Sequence, residues 1–316
     1  MTGYIIRRCI AAVIIAIGVT AVVYALLAFT GGSPAVAALG THANRYTIAI
    51  WNKDHGYDRP LVVQIASYVW DIVQFKFGYS YKQGQSVGAL LNENAGRTAY
   101  LSGAALVLAL LIAIPLGIVQ AVKRNSIGDY VATAATFTLY SMPSFFLGLI
   151  LIQIFALDLH VFPALVSDNV TTTWQAIVHP LQLTLPILTL AGLTVAGFSR
   201  YMRSSALDAL AQDYIRLARA KGLSERLVLT RHLLRNACLP IITLVGLSIP
   251  GLLAGNIITE ALFNYPGLGL LFYDSLQNLD YPVLLAYTVI GGVLTVIGNL
   301  LADIAVTVAD PRVRVD

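Results

Sequence analysis

The stretch TAYLSGAALVLALLIAIPLGIVQAV, residues 98–122, contains no charged side chain. A helix needs about 20 apolar residues to cross the hydrocarbon core of a bilayer, so this stretch predicts a transmembrane helix. The whole chain has the same character, since 57% of its residues are hydrophobic and only 11% are charged. Soluble domains carry about 25% charged residues, enough to cover a surface that faces water. We therefore predict an all-α polytopic membrane protein.

Five more stretches are long and apolar enough, or nearly so, to cross a membrane. The six predicted spans are Cys9–Phe29, Thr98–Val122, Tyr130–Leu157, Leu181–Phe198, Ala237–Thr259 and Pro282–Ala302. The first is longer than the core of a signal peptide and is followed by a poor cleavage context, so we expect it to be retained. We expect the sixth to continue past Asp303. The chain then divides into an N-terminal transmembrane helix (1–30), an extracytoplasmic loop region (31–97) and a five-helix core (98–316).

Positive charge predicts the orientation of these helices. The basic residues of the termini and short loops form four groups: Arg7 and Arg8; Lys123 and Arg124; the segment from Arg200 to Arg235; and Arg312 and Arg314. All four fall on one side of a six-helix topology, and the short loops 158–180 and 260–281 on the other side contain no Lys or Arg. Because cytoplasmic loops are enriched in Lys and Arg, both termini are predicted to be cytoplasmic.

The cytoplasmic loop 200–236 has a pattern beyond its charge. Asp213 is a candidate N-cap for a short helix, Gly222 is placed to end it, and Ser224 can cap a second helix. Ile215 and Ala218 share one stripe of the short helix, and its basic residues flank that stripe. The pattern predicts a helix that docks on a partner, with contact through the small face around Ala218 and Gly222. The alternative is that the charges only maintain the topology.

Motifs of enzymes and metal sites do not occur in the sequence. It contains no Gly-x-x-x-x-Gly-Lys-Ser/Thr run for nucleotide phosphates, no Cys-x-x-Cys pair and no His-Glu-x-x-His. Charged residues are scarce inside the spans, although ion-driven transporters commonly carry them there. Four prolines do lie in the spans, and they predict bent helices: Pro115, Pro143, Pro186 and Pro250. We expect no catalytic residues and no metal site.

Several motifs resemble one transporter family. The run QDYIRLARAKGLSER (212–226) closely resembles the coupling loop of permease subunits in binding-protein-dependent bacterial ABC importers of the dipeptide/oligopeptide/nickel branch. Further matches, in the order of that branch, are DRPL (58–61), FGYS (77–80), SMPSF (141–145), EALFNYPGLG (260–269), DYP (280–282) and DPRVR (310–314). The chain looks most like the B-type subunit of dipeptide permeases. Many ABC permeases have a Glu-Ala-Ala run where this chain has Arg216-Leu217-Ala218, so a Glu-based contact is not expected.

The resemblance implies a type I ABC importer permease fold with six transmembrane helices, in the bacterial inner membrane. It implies three kinds of partner: a second permease subunit, for which we expect a related chain and an identical one is the alternative; two cytoplasmic ATPase subunits, which would bind ATP and Mg; and an extracytoplasmic solute-binding protein. No cofactor is expected in this chain. The residues expected to couple to the ATPase are Asp213, Tyr214, Ile215, Arg216, Ala218, Arg219, Ala220, Lys221, Gly222 and Leu223.

Two further groups of residues are candidates for function. A translocation pathway or gate is predicted at Tyr140, Ser141, Met142, Pro143, Asn256 and Glu260, where polar residues lie beside a kink or near a helix end that reaches water. The alternative is that these residues form helix–helix hydrogen bonds. Contact with the binding protein or its ligand is predicted for 75–87, with Phe77, Tyr79, Tyr81 and Lys82 as the contact residues. The alternative there is a cap lying on the membrane.

The function predicted from the sequence is half of the pathway of an ATP-driven peptide importer. A secondary transporter or channel without an ATPase is the alternative, and an intramembrane hydrolase has no nucleophile–base pair in its favour. The resemblance also implies that selectivity lies largely in the binding protein, so dipeptides, longer peptides, glutathione and nickel stay open as substrates.

Overall fold

The computed structural model describes residues 2–29, 34–40 and 43–309. The predicted cytoplasmic residues Arg312 and Arg314, and the motif 310–314, lie outside the described residues. Helices account for most of the described chain. They are α1 (Thr2–Phe29), α2 (Pro34–Leu39), α3 (Arg45–Asp54), α4 (Leu61–Val73), α5 (Val87–Val122), α6 (Ile127–Ser141), α7 (Ser144–Leu151), α8 (Thr173–Val178), α9 (Pro180–Leu210), α10 (Asp213–Ala220), α11 (Glu225–Leu227), α12 (Leu234–Ala237), α13 (Leu239–Ala254), α14 (Ile257–Leu262), α15 (Leu268–Gln277) and α16 (Tyr281–Ala309).

Two π-helical segments and one small hairpin complete the secondary structure of the described residues. The π-helical segment Ile152–Asp158 continues α7, and Val228–Leu233 joins α11 to α12. Strands β1 (Tyr79–Ser80) and β2 (Gln85–Ser86) pair antiparallel, with Tyr79 opposite Ser86 and Ser80 opposite Gln85.

Three of the described helices are long and apolar enough to cross a membrane: Val87–Val122, Pro180–Leu210 and Tyr281–Leu301. Two bent helix pairs raise this number to five if each pair forms one span. The first predicted span lies in α1, where the shorter apolar segment Val13–Phe29 packs beside α16. The count of six therefore stays a prediction.

The third predicted span, Tyr130–Leu157, is wrong as one continuous helix. Helix α6 ends at Ser141, and Ser144–Asp158 leaves it at an angle of 110°. Pro143 explains the break, because proline has no N–H to donate and disfavours helical geometry in the residue before it. Met142 accordingly has an extended backbone, with φ −79° and ψ 136°.

The fifth predicted span, Ala237–Thr259, also differs from the structure. A 46° bend separates Glu225–Ala237 from Leu239–Leu252, and α13 ends at Ala254. Gly255 has φ +89°, a backbone conformation that L side chains rarely adopt, and it turns the chain into the short helix α14.

Other helices are longer than their apolar stretches predict. Helix α5 begins at Val87 rather than Thr98, so the predicted domain boundary at 97/98 falls inside a helix. Helix α9 continues past Ser199 to Leu210, and α16 passes Asp303 as expected.

The most extensive contact between helices of the core is between α5 and α9. A Cβ added at Gly117 of α5 would lie 2.6 Å from the Met202 Cβ and 2.8 Å from the Ser199 carbonyl oxygen of α9. Glycine at this position therefore lets the two backbones approach each other. The second most extensive contact between helices is between α13 and α16.

Candidate functional site

Helix α10 is the short helix predicted in the basic loop. Gln212 is its N-cap residue, whereas Asp213 lies inside the first turn, so the prediction of Asp213 as the N-cap is wrong by one residue. Asp213 still carries its negative charge where the helix dipole favours it. Gly222 lies just past the end of the helix with φ +76°, and its N–H donates to the Arg219 carbonyl oxygen at 2.9 Å. The prediction that glycine ends this helix is confirmed.

The second helix begins after Ser224, as predicted, but the Ser224 side chain makes no capping hydrogen bond. Arg219 of α10 joins the two helices through an ion pair with Glu225, whose Nε–Oε1 distance is 2.8 Å. Both side chains are exposed to solvent, so this pair contributes little to stability. It does hold the start of α11 beside α10.

The inner face of α10 is the stripe of Ile215 and Ala218. Ile215 is fully buried and Ala218 is 5% exposed, in one apolar cluster with Met202 and Ala206 of α9. The expectation that the small face around Ala218 contacts a partner is therefore wrong for Ala218, which packs against this chain's own helices. The reason is apolar burial: Ile215 supplies a large apolar side chain on the same stripe, and the stripe covers α9.

The outer face of α10 is free in this chain. Leu217 is 56% exposed, and Arg216, Ala220 and Lys221 are exposed around it. Gly222 continues this exposed surface. An exposed leucine among basic residues on a helix that is fixed from behind suits protein–protein contact. We call Arg216, Leu217, Ala220, Lys221 and Gly222 the outer face of α10.

The predicted gate residues lie at two separate helix breaks. Tyr140, Ser141, Met142 and Pro143 form the α6–α7 break, where Tyr140 is 58% exposed. Asn256 and Glu260 lie at the α13–α14 break, and the Asn256 amide donates to the Ser102 hydroxyl at 3.0 Å. In the part of the chain that the structure describes, no hydrogen bond connects the two groups. A shared pathway role stays a prediction.

Glu260 does not reach water, contrary to expectation. Its side chain is fully buried. Oε1 accepts hydrogen bonds from the Thr98 hydroxyl at 3.0 Å and the Asn256 N–H at 3.2 Å, and Oε2 accepts from the N–H groups of Gly269 at 2.7 Å and Leu270 at 3.2 Å. The carboxylate therefore caps the N-terminus of α15 and closes the α13–α14 break.

The surrounding motif EALFNYPGLG is explained by the same contacts. A Cβ at Gly269 would lie 2.7 Å from the Ile257 backbone nitrogen, and one at Gly267 would collide with the Glu260 carboxylate. The Tyr265 hydroxyl donates to the Arg97 carbonyl oxygen of α5 at 2.7 Å. The motif therefore builds a compact turn against α5, a packing role that the sequence pattern did not separate from a gate.

The residues predicted to contact a binding protein lie on or beside the hairpin. Tyr79 and Tyr81 are 48% and 42% exposed, and Lys82 is exposed at the turn, whereas Phe77 is half-buried against the core. The Tyr81 ring meets the rings of Trp51 and His55 edge-on.

One contact anchors the hairpin to the core. The buried Ser80 hydroxyl donates to the carboxylate of Asp280, which directly precedes α16. Burial raises the pKa of the Asp280 carboxyl, although hydrogen bonds from Ser80 and from the Val283 N–H oppose the shift. The contact therefore fixes the hairpin next to its turn, while Lys82 within the turn stays exposed.

Among residues 2–29, 34–40 and 43–309, no three His, Cys, Asp or Glu side chains come close enough to hold a metal ion. The geometry of the described residues offers contact surfaces and a compact turn.

Comparison with known proteins agrees with this geometry. The model of the family "Binding-protein-dependent transport system inner membrane component" matches residues 113–315, and the model of the corresponding N-terminal region matches residues 1–102. The oligopeptide transport system permease protein AppB of Bacillus subtilis (strain 168) is 38% identical over 315 residues, which cover 99% of this chain and 100% of that protein.

Other relatives and a solved structure give the same result. The glutathione transport system permease protein GsiC of Salmonella typhi is 34% identical over 99% of both chains, and a putative peptide permease protein of Brucella ovis is 35% identical over 100% of both. An inward-facing structure of the MetNI methionine ABC transporter contains a chain that matches with a TM-score of 0.56 and 17% identity, covering 70% of this chain and 96% of that one. That likeness concerns the fold, which is the type I ABC importer permease fold. Because one family model spans more than half of the chain and relatives align over nearly all of it, the chain belongs to the family of inner membrane components of binding-protein-dependent transport systems.

Proposed function

We propose that this chain forms half of the translocation pathway of an ATP-driven peptide importer and that α10 couples it to a cytoplasmic ATPase. The observation that carries this proposal is the arrangement of α10, whose inner face is buried against α9 while its outer face is exposed. The chain is not an enzyme by itself, since in this family ATP hydrolysis belongs to separate subunits.

The proposed assembly has two permease subunits, two ATPase subunits that bind ATP and Mg, and one extracytoplasmic binding protein. The second permease is proposed to be a related chain. The protein is a multi-pass inner membrane protein. We propose six spans with both termini in the cytoplasm, supported by the basic groups near the start of α1, directly after α5, and in and after the last turns of α9.

The proposed cargo is a peptide. The support is that relatives covering the full chain are named as oligopeptide, glutathione and peptide permeases. Uptake of labelled di-, tri- and pentapeptides into proteoliposomes that contain the whole complex would define the accepted length.

The experiment for the coupling surface compares two leucines of the cytoplasmic loop. Leu217→Asp places a charge in the centre of the outer face of α10, and Leu227→Asp makes the same change on α11, where the side chain is 37% exposed. We expect Leu217→Asp to reduce co-elution of the ATPase subunits and ATP-dependent uptake, and Leu227→Asp to reduce them much less. Normal co-elution and uptake with Leu217→Asp would show that the coupling surface lies elsewhere.

The alternative, a secondary transporter or channel, is tested with the permease subunits alone. Proteoliposomes that contain the permease subunits without ATPase subunits should take up no peptide, whatever ion gradient is applied. Peptide uptake driven by a proton or sodium gradient in that preparation would replace the importer proposal.

The extracytoplasmic hairpin is proposed to contact the binding protein through Tyr79, Tyr81 and Lys82. Deleting the hairpin is a poor test, because it removes Ser80 and with it the buried contact to Asp280. A triple alanine variant at the three exposed residues keeps that contact. If this variant binds the binding protein and takes up peptide normally, the hairpin serves only as a cap on the membrane surface.

A further inference from the structure

A buried ion pair joins two helices of the core, α6 and α9. Asp129 lies in the first turn of α6 and Arg203 in the cytoplasmic part of α9. The Arg203 guanidinium donates through Nε to Oδ1 at 3.0 Å and through Nη2 to Oδ2 at 2.8 Å. The Asp129 side chain is 3% exposed and that of Arg203 is 30% exposed. A two-pronged contact of this kind holds both the distance and the relative orientation of its partners.

Further hydrogen bonds fix the acid itself. The Asn125 N–H donates to Asp129 Oδ2 at 3.0 Å, and the Thr133 hydroxyl lies 3.4 Å from Oδ1. The Gln120 amide, near the end of α5, donates to the Thr133 hydroxyl at 3.3 Å. The α5–α6 turn and helix α6 itself therefore hold Asp129 in place independently of Arg203. Because of this, a displacement of Arg203 acts on α6 as a whole.

Arg203 is placed equally firmly with respect to α10. Its neighbours Met202 and Ala206 belong to the apolar cluster that buries Ile215 and Ala218 of α10. Gly117 of α5 packs against the backbone of the same turn of α9. A movement of α10 that keeps its inner face buried must therefore move this turn of α9 as well.

A second arginine of α9 connects to the other end of α6. The Arg200 guanidinium lies 4.5 Å from the centre of the Phe137 ring and 5.0 Å from that of Tyr140. Such cation–π contacts are attractive and tolerate small shifts. Arg200 and Arg203 are three residues apart on one side of α9, and together they hold α6 near both of its ends. Tyr140 borders the α6–α7 break.

We propose that Asp129 and Arg203 are positioning residues that transmit movement of α10 through α9 to α6, and so to the α6–α7 break. This proposal rests on the proposed coupling function of α10. Net stability is a weaker explanation of the pair, because apolar side chains of similar size commonly stabilise a core as well as a buried ion pair does. Apolar side chains would not fix the distance and relative orientation of the two helices as the two-pronged ion pair does.

The variants are chosen to separate transmission from folding. The double variant Asp129→Leu, Arg203→Met removes both charges together, so that neither is left buried and unpaired. The double variant Asp129→Arg, Arg203→Asp exchanges the charges. Asp208→Asn is the matched control, because Asp208 is an exposed acid on the same helix.

The first measurement is peptide imported per ATP hydrolysed, in proteoliposomes of the complete complex. We expect the apolar double variant to assemble with its ATPase and to lower this ratio about fivefold or more, which is typical of the loss of coupling between sites. The charge-exchanged variant should recover part of the ratio, and Asp208→Asn should leave it unchanged. If the ion pair serves stability alone, the apolar double variant should yield less complex, but the complex that assembles should import as much peptide per ATP as the wild type. That outcome would overturn the proposal.

The second measurement follows the α6–α7 break without transport. Ser141→Cys, in a background with Cys9→Ser and Cys238→Ser, reports the accessibility of the break to a thiol reagent with and without ATP and vanadate. We expect the ATP-dependent change of labelling to disappear in the apolar double variant. If labelling of that variant still responds to ATP as in the parent, the transmission proposal alone is wrong. If the parent itself shows no response and binds no ATPase, the coupling function is wrong and the transmission proposal falls with it.

Discussion

Glu260→Ala should open the turn between α13 and α15, because it removes a fully buried hydrogen-bond acceptor. The carboxylate accepts four hydrogen bonds, from the Thr98 hydroxyl and from the N–H groups of Asn256, Gly269 and Leu270. Alanine removes the acceptor and leaves these donors in place. The turn between α13 and α15 then loses the group that connects its two ends to α5.

The magnitude follows from the burial of the donors. Thr98 and Gly269 are buried and find no water, whereas Asn256 and Leu270 are partly accessible. A buried donor without an acceptor costs about 1–3 kcal/mol, so the two buried donors cost about 4 kcal/mol together. Release of the buried carboxylate offsets part of this cost. We take about 3 kcal/mol as the net loss, which is on the order of 100-fold in the equilibrium for opening the turn.

Amide hydrogen exchange measures this opening locally. We expect exchange of peptides within residues 264–277 to accelerate on the order of 100-fold in Glu260→Ala. Glu260→Gln should lie between this variant and the wild type, because its amide oxygen can accept two of the four bonds while its NH₂ group faces the other donors. Glu93→Ala is the matched control, since Glu93 is an exposed acid on α5.

Two results would refute this reasoning. Exchange within about threefold of the wild type in Glu260→Ala, a change of less than 1 kcal/mol, would show that the carboxylate does not hold the turn. Loss of peptide uptake with unchanged exchange would instead assign Glu260 a direct role in the pathway, as the sequence had suggested.

Four further predictions concern the helix packing, the hairpin and the end of α10. Gly117→Ala should separate α5 from α9 and lower the thermal stability of the purified complex. Gly103→Ala should not, because a Cβ at Gly103 has no neighbour within 4 Å. Equal melting curves of the two variants would contradict the close approach of α5 and α9. Asp280→Ala should destabilise the packed position of the hairpin by about 1–3 kcal/mol, because the Ser80 hydroxyl loses its buried acceptor. Asp280→Asn should have a smaller effect. The rate of proteolysis of the hairpin measures both. Because burial raises the pKa of the Asp280 carboxyl, the packed state of the hairpin favours the protonated acid. The stabilisation of the packed hairpin that comes from this protonation is complete at low pH and is lost as the pH rises through the raised pKa. Asp280→Asn should abolish this pH dependence. Gly222→Ala should destabilise the end of α10 by about 1–2 kcal/mol, because φ is +76° at this residue, although the space around it is open. Faster hydrogen exchange of the amides that follow would show this loss of stability.

Much of the fold could be predicted from the sequence because the signals are local. Uninterrupted apolar stretches such as 98–122 have no soluble alternative, and each forms a helix by its own backbone hydrogen bonds. Gly222 marks a helix end by its backbone freedom alone. Pro143 predicts a bend, but the size of the bend depends on what the next helix packs against, so the sequence does not predict the 110° break.

The candidate site divides along the same line. The positions of the short helix and of the basic groups were determined by the sequence alone, since each rests on neighbouring residues, whereas the hairpin was found only in the structure. The direction in which each side chain faces was decided by the tertiary structure. Ala218 turns inward because α9 offers an apolar surface there, and Glu260 is buried because Thr98 and Gly269 meet at the same point. The pair of Asp129 and Arg203 joins residues 74 positions apart, and no local periodicity contains that information.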